Sequence, residues 1–245
     1  MKLLLTYVNP NGFDEESKRL VKLQIDNSLE LGWKKEDIIL VTDFSYEYRD
    51  IKATLVNQGY CEFEKEGSKI FTIVHLFDLG FFEDNLLYWF HDLDAYQLEP
   101  ITEAELELDG FDLGICDYTR ARRWQFGSFF FKKTAEDIFR LTAQQMSPKY
   151  VCPDEEALLY LTDNNVNGIT SRIKKLNGTY NFGMRRVDFC YERANKPLKV
   201  IHFHPYHPRN NGLNTLAIAM YGRNRIGKPL MNERLKRLFN KYGYA

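Results

Sequence analysis

Two carboxylates one residue apart, Asp92 and Asp94, close the run Leu86-Leu87-Tyr88-Trp89-Phe90-His91-Asp92-Leu93-Asp94. Side chains at i and i+2 of an extended segment point the same way. Both aspartates can therefore face one cation, and two hard oxygen ligands suit Mg2+ or Mn2+ carrying a diphosphate. The alternative is a strand end turning into solvent, with aspartate as an ordinary turn residue. The apolar, aromatic-rich run before them reads as an interior strand, although periodicity alone does not separate it from a helix. Its carboxyl end is where open α/β sheets take ligands.

The elements that must position this pair alternate strand and helix, the pattern of an α/β domain with a mostly parallel sheet flanked by helices. Lys2 to Val8 reads as a first strand. Asp14 is placed to cap a helix with the core stripe Val21, Ile25 and Leu29, closed by Gly32. Ile38 to Val41 is a second strand, ending in Thr42 and Asp43. Ser68 is placed to cap a helix carrying Ile70, Ile73, Val74 and Phe77. Phe111 to Cys116 and Gly127 to Phe131 read as strands flanking the basic loop Arg120-Ala121-Arg122-Arg123-Trp124. Pro153-Asp154-Glu155-Glu156 opens a further helix. Lys199 to Phe203 is a late strand, and Leu230 to Phe239 reads as a basic amphipathic helix. With no repeat or Pro/Gly-rich linker to divide it, the chain is expected to be one domain. Its nucleotide-binding part would be about 1–95, its acceptor and catalytic part about 96–222, and its basic C-terminal helix about 223–245.

Composition narrows the partners. Lys plus Arg number 33 against 34 Asp plus Glu in 245 residues, which gives no overall bias toward nucleic acid. Cys61, Cys116, Cys152 and Cys190 form no C-x-x-C pair, so neither a zinc site nor a disulfide framework is indicated, and a reducing, cytoplasmic setting fits. The N-terminal apolar stretch is too short for a signal sequence. The longest apolar stretch, Ile70 to Phe82, is interrupted by His75 and Asp78, so no transmembrane segment is expected.

The order of these pieces resembles a known family. A leading strand, the D-x-D of Asp92 and Asp94, an acidic helix start followed by Ala157-Leu158-Leu159, an Asn-rich turn, and a late Val200-Ile201-His202-Phe203 are together similar to a GT-A glycosyltransferase. The likeness is strongest to the glycogenin and galactosyltransferase group of family 8, and it covers about Lys2 to Phe203. It implies a single GT-A domain and transfer of a sugar from a nucleoside-diphosphate sugar, a UDP-sugar, to a glycan or glycoconjugate acceptor. It also implies a divalent cation at the diphosphate, which neutralises the departing charge. His202 would then be the third protein ligand, with His204 as the competing choice, and an imidazole favours Mn2+ over Mg2+. Alanine at Asp92 or Asp94 is expected to abolish Mn2+-dependent donor turnover and leave the fold intact.

The same resemblance assigns the base and ribose to Thr6, Tyr7, Val8 and Asp43, where Tyr7 either stacks on the base or packs as an ordinary aromatic. Lys69 matches a family lysine near the donor, or is a surface lysine. Catalysis falls to Asp154 and Glu155, as acceptor base or as a group stabilising an oxocarbenium-like sugar, against their ordinary role as helix N-terminal acids. Family 8 carries Asp-Gln at this point and this chain Asp-Glu, which leaves the stereochemical outcome open. Trp124 to Ser128 would shape the sugar or acceptor site, or else is core packing beside a chance basic loop. Arg223, Arg225 and Lys228 would fold over the diphosphate, or else a solvated basic helix would approach anionic lipid-linked acceptors. His207 reads as a loop histidine. Two other functions remain: a sugar nucleotidyltransferase, whose Gly-rich basic loop Asn9-Pro10-Asn11-Gly12 does not supply, and a glycan-binding module without turnover.

Overall fold

A computed structural model describes residues 1–118, 123–149, 152–184, 187–205, 215–222 and 226–244. Arg120, Ala121, Arg122, His207, Arg223 and Arg225 lie outside these described residues.

In chain order the strands are β1 (Lys2–Tyr7), β2 (Ile38–Thr42), β3 (Glu47–Tyr48), β4 (Ile51–Lys52), β5 (Thr54–Leu55), β6 (Leu87–His91), β7 (Ala95–Gln97), β8 (Leu113–Asp117), β9 (Trp124–Lys132), β10 (Ile173–Leu176), β11 (Phe182–Gly183) and β12 (Val200–His202). The helices are α1 (Glu15–Glu30), α2 (Ser68–Asp78), α3 (Glu103–Leu106), α4 (Glu136–Gln145), α5 (Pro153–Asp163), α6 (Val187–Arg193), α7 (Thr215–Tyr221) and α8 (Glu233–Lys241). Seven strands form the central sheet in the order β10-β8-β9-β6-β1-β2-β5, and a small sheet runs β11-β12-β7. Only β9 opposes its neighbours in the central sheet, so the chain has the expected mostly parallel α/β architecture.

Strand β6 explains why the centre is dry. All five of its residues are buried. Alternation sends Tyr88 and Phe90 to the face under α2, α4 and α5, and Leu87 and Trp89 to the face under α1. A strand covered on both faces has no reason to alternate polar and apolar residues, which is why it reads as one apolar run.

Several boundaries differ from the sequence reading. Ser68 does not cap α2, because a short 3-10 turn over Lys65–Gly67 leads directly into the helix. The Ser68 hydroxyl instead accepts the Cys61 N–H at 2.9 Å. Strand β9 begins at Trp124 rather than Gly127, so Trp124 to Ser128 lies within the sheet. Phe126 packs inside the core, while half-buried Trp124 donates its indole N–H to Thr162 Oγ1 at 3.0 Å.

The C-terminal helix starts later than its composition suggests, because the Asn232 side chain caps it by accepting the Leu235 N–H at 3.0 Å. Leu235, Leu238 and Phe239 form its buried stripe. Much of its basic charge is engaged with α1 and the end of β7. Arg237 pairs with Glu30 at 2.7 Å, Lys241 pairs with Asp26, and Arg234 donates to the carbonyls of Gln97 and Leu98, each at 3.1 Å. Asp26 also accepts from Tyr242 at 2.7 Å and from Arg49 at 3.0 Å, tying α8 and the β3–β4 hairpin to α1. Asp26→Ala is expected to cost about 2 kcal/mol in chemical denaturation, the scale of losing hydrogen bonds to a charged group, and to speed proteolysis of α8. No helix among the described residues is long and apolar enough to cross a membrane.

Candidate functional site

Strands β6, β1 and β2 are adjacent and parallel, so their carboxyl ends share one edge of the sheet. Tyr7, Asp43 and Asp92 stand along that edge. Beyond β6 the chain turns tightly: the Asp92 N–H donates to Gly127 O at 2.9 Å, and the Ala95 N–H returns to Asp92 O at 3.0 Å. His91 supports the turn through Nδ1, 2.9 Å from the same carbonyl. A carbonyl only accepts, so Nδ1 carries the proton there. Burial pushes the His91 ring down to about 4, which keeps it neutral. From α1, Gln24 clamps the turn by donating Nε2 to Leu93 O and Ala95 O, each at 2.8 Å.

The turn delivers Asp94 to a histidine from the far end of the chain. Strand β7 pairs antiparallel with β12 and sets Ala95 opposite His202, while the Phe203 N–H donates to Asp94 O at 2.9 Å. Ligand atoms of Asp92, Asp94 and His202 all lie within 4.8 Å of one another. His202 Nε2 is 3.1 Å from Asp94 Oδ1, and Nδ1 is 3.1 Å from Asn181 Oδ1. Asn181 donates its amide to Gln125 O at 3.2 Å, which leaves its oxygen as acceptor. His202 Nδ1 is therefore the donor, and Nε2 is the atom turned toward the carboxylates. Burial opposes charge on both Asp94 and His202. Their mutual attraction outweighs it, lowering the Asp94 carboxyl and raising the His202 ring. Burial, with Asp94 alongside, pushes the Asp92 carboxyl up despite Lys69. Two carboxylates and one oriented imidazole nitrogen are a donor set that fits Mn2+.

The imidazole occupies a seat that only glycine leaves open. A Cβ on Gly127 would fall 2.1 Å from His202 Cε1 and 2.2 Å from Nδ1. His204 lies elsewhere, its Nε2 3.8 Å from Glu16 Oε1 on α1, so the geometry groups His202 and not His204 with the aspartates.

Lys69, near the start of α2, is only 8% exposed. Its ammonium reaches Asp92 Oδ2 at 2.8 Å and Oδ1 at 3.0 Å, and stands 3.8 Å from Asp154 Oδ2. Burial disfavours its charge, but Asp92 and Asp154 outweigh that and raise its proton affinity. Asp154 Oδ1 accepts the Glu155 N–H at 2.9 Å, and its buried Oδ2 has no hydrogen-bond partner. Lys69 thus bridges the cation-type cluster and the acidic start of α5.

Glu155 accepts from the Tyr118 hydroxyl at 2.7 Å through Oε1 and pairs through Oε2 with Arg123 Nε at 2.8 Å. Burial pushes its carboxyl from 4.5 up to about 7, against the pull of those two partners. A proton held more tightly in the folded than in the unfolded chain favours folding. This contribution is complete below about pH 4.5 and disappears as pH rises through about 7, on the order of 3 kcal/mol in all. Urea unfolding at pH 5 and pH 8 is expected to show this loss in the wild type and not in Glu155→Gln.

The residues expected to receive the nucleotide are held but less converged. Tyr7 packs on Phe13 with ring centroids 4.7 Å apart and accepts from Asn9 Nδ2 at 3.1 Å. Asp43 accepts the Asn9 N–H at 3.0 Å, so Asn9 latches the ends of β1 and β2 together. Thr6 and Val8 are half-buried on the same segment. Lys228 is exposed between α7 and α8, where its backbone packs against Gly222. Sequence reasoning missed Asn181, Tyr118 and the role of Gly127. Only Gly127 left a signal, since glycine inside a strand often marks a close approach.

No family model matches the sequence, and no curated protein matches it in a sequence search. Solved structures do match. The galactosyltransferase LgtC, in complex with donor and acceptor sugar analogues, has a TM-score of 0.57 at 12% identity, covering 98% of this chain and 96% of LgtC. A glycosyltransferase involved in glycosylating the major capsid of PBCV-1 has a TM-score of 0.54 at 11% identity, covering 82% and 93%. Glycosyltransferase GlyE of Streptococcus pneumoniae TIGR4 has a TM-score of 0.58 at 13% identity, covering 98% of this chain and 59% of GlyE. The likeness establishes the fold, which is that of GT-A glycosyltransferases.

Proposed function

We propose that this chain is a metal-dependent glycosyltransferase that moves a sugar from a UDP-sugar to a glycan or glycoconjugate acceptor, with Mn2+ as the cation. The observation that carries this reading is the convergence of Asp92, Asp94 and His202 at the carboxyl edge of the sheet, beside Lys69 and the acids of α5. In such a transfer the sugar–oxygen bond to the diphosphate breaks, the diphosphate leaves with the electron pair, and an acceptor hydroxyl replaces it and loses its proton. The cation would supply charge neutralisation at the leaving diphosphate.

The chain's own groups carry the remaining tasks. Asp92, Asp94 and His202 would hold the ion, with Asn181 fixing the imidazole. Lys69 supplies a fixed, buried positive charge next to Asp92. Asp154 and Glu155 take the proton of the acceptor or face the positive charge developing on the sugar. Tyr7 and Asp43, latched by Asn9, would receive the base and ribose. Release of nucleoside diphosphate from UDP-, GDP- and dTDP-sugars, measured with and without Mn2+, tests the reading. Mn2+-dependent release of UDP is expected; the absence of release from every donor, by folded protein, would overturn it.

A further inference from the structure

Tyr118 and Arg123 stand at the two ends of the β8–β9 connection. The Tyr118 N–H donates to Arg123 O at 3.0 Å, continuing the register that pairs Asp117 with Trp124. From this closed base both side chains cross to the first turn of α5. The Tyr118 hydroxyl takes Glu155 Oε1 and the Arg123 guanidinium takes Oε2, each within 2.8 Å. Arg123 also reaches Glu156 Oε1 at 3.4 Å. Nothing about packing a helix start against a sheet requires both a hydroxyl donor and a guanidinium ion pair on one carboxylate. An N-terminal acid is adequately satisfied by its own helix, as Asp154 Oδ1 is by the Glu155 N–H.

We propose that Tyr118 and Arg123 are positioning residues for Glu155, gripping one carboxylate oxygen each and so fixing the direction in which that carboxylate meets the reacting sugar. The inference rests on the reading of Glu155 as an acid of the transfer site. It also has a chemical consequence. Both grips favour the ionised carboxylate, as does Lys69 across from α2, whereas burial and the neighbouring Asp154 favour the protonated form; Cys152 and Glu156 are the remaining titratable groups beside it on α5. Because these opposing influences balance near neutrality, removal of either grip moves the titration of Glu155 upward.

The test reads the carboxyl directly in the full chain. The wild type, Tyr118→Phe, Arg123→Gln and Arg123→Lys are labelled with 13C-glutamate, and the Glu155 resonance is assigned by its loss in Glu155→Gln. Titration from pH 5 to 9 is expected to show the inflection raised by about one unit in Tyr118→Phe, the scale of a hydrogen bond to a charged group, and by about one unit in Arg123→Gln, the scale of a lost neighbouring opposite charge. Arg123→Lys, which keeps the charge, should restore it in part. Should Arg123→Gln fail to fold by circular dichroism, Tyr118→Phe decides. Inflections that stay with the wild type in the folded variants overturn the inference. Donor turnover against pH then separates the two ideas. A limb that moves with the titration supports both; a titration that moves without the limb keeps the grip and removes Glu155 from the chemistry. A wild type without turnover sinks the functional proposal alone.

Discussion

Gly127→Ala is expected to drive the His202 imidazole from its seat and lower affinity for Mn2+ by about 100-fold, the upper range for disturbing the supports of a metal ligand. Gly127 lies within β9 and is not among the residues with positive φ, so alanine fits the backbone. The whole effect falls on the contact: the added Cβ lies 2.1 Å from His202 Cε1. The ring has little room to yield, since Nδ1 is tied to Asn181 and its backbone to β7 and β11. Calorimetry with Mn2+ alone measures the loss, and unchanged circular dichroism shows that the fold survives. Gly183→Ala is the matched control, because among the described residues a Cβ there meets only Gln125 Nε2 at 3.5 Å. Wild-type affinity in Gly127→Ala would exclude His202 as a ligand.

The two aspartates, equivalent in the sequence, are expected to behave differently when removed. Asp94→Ala takes a ligand away and leaves His202, which can simply stay neutral. Asp92→Ala takes a ligand away and also leaves the buried Lys69 ammonium with the Phe126 carbonyl at 3.4 Å and Asp154 at 3.8 Å, without a carboxylate in hydrogen-bond contact. Breaking a buried pair from one side costs about 3 kcal/mol. For a chain of this size that lowers the melting temperature by roughly 6–12 °C. Donor turnover should fall by about 1,000-fold in both variants, the rate equivalent of losing some 4 kcal/mol of charge stabilisation. Asp92→Ala combined with Lys69→Met should regain most of the stability and none of the turnover. A melting temperature for Asp92→Ala equal to that of Asp94→Ala would show that Lys69 does not depend on Asp92. Both variants are still expected to keep the fold, Asp92→Ala with the lower stability.

What the sequence disclosed and what it concealed follow from the range of the interactions involved. β6 was readable because a strand dry on both faces has an unbroken apolar run, and the Asp14 cap and the closing Gly32 of α1 were readable because capping is decided within a few residues. The start of α8 was misplaced because Leu230 and Met231 are buried like helix residues, although the Asn232 cap follows them. The basic character of that helix suggested solvent or lipid, since nothing local announces that Arg234, Arg237 and Lys241 meet α1. The choice between His202 and His204 was open for the same reason, since only the register of β12 against β7 groups His202 with the aspartates. Asn181 and Tyr118 carry no local mark, because their roles exist only once β11 and α5 lie beside them.

Asp94 and His202 are 108 residues apart in the chain and become neighbours through the short β7–β12 ladder. Closing so long a loop is entropically unfavourable, and contacts of this span tend to form late. During synthesis the proposed ion site would therefore stay incomplete until β12 has left the ribosome. An ion held there would act as a staple across the finished molecule, adding about 2.7 kcal/mol to its resistance to unfolding at a hundredfold excess over the dissociation constant. If the proposed manganese site is real, the supply of that ion would set the lifetime of the folded chain.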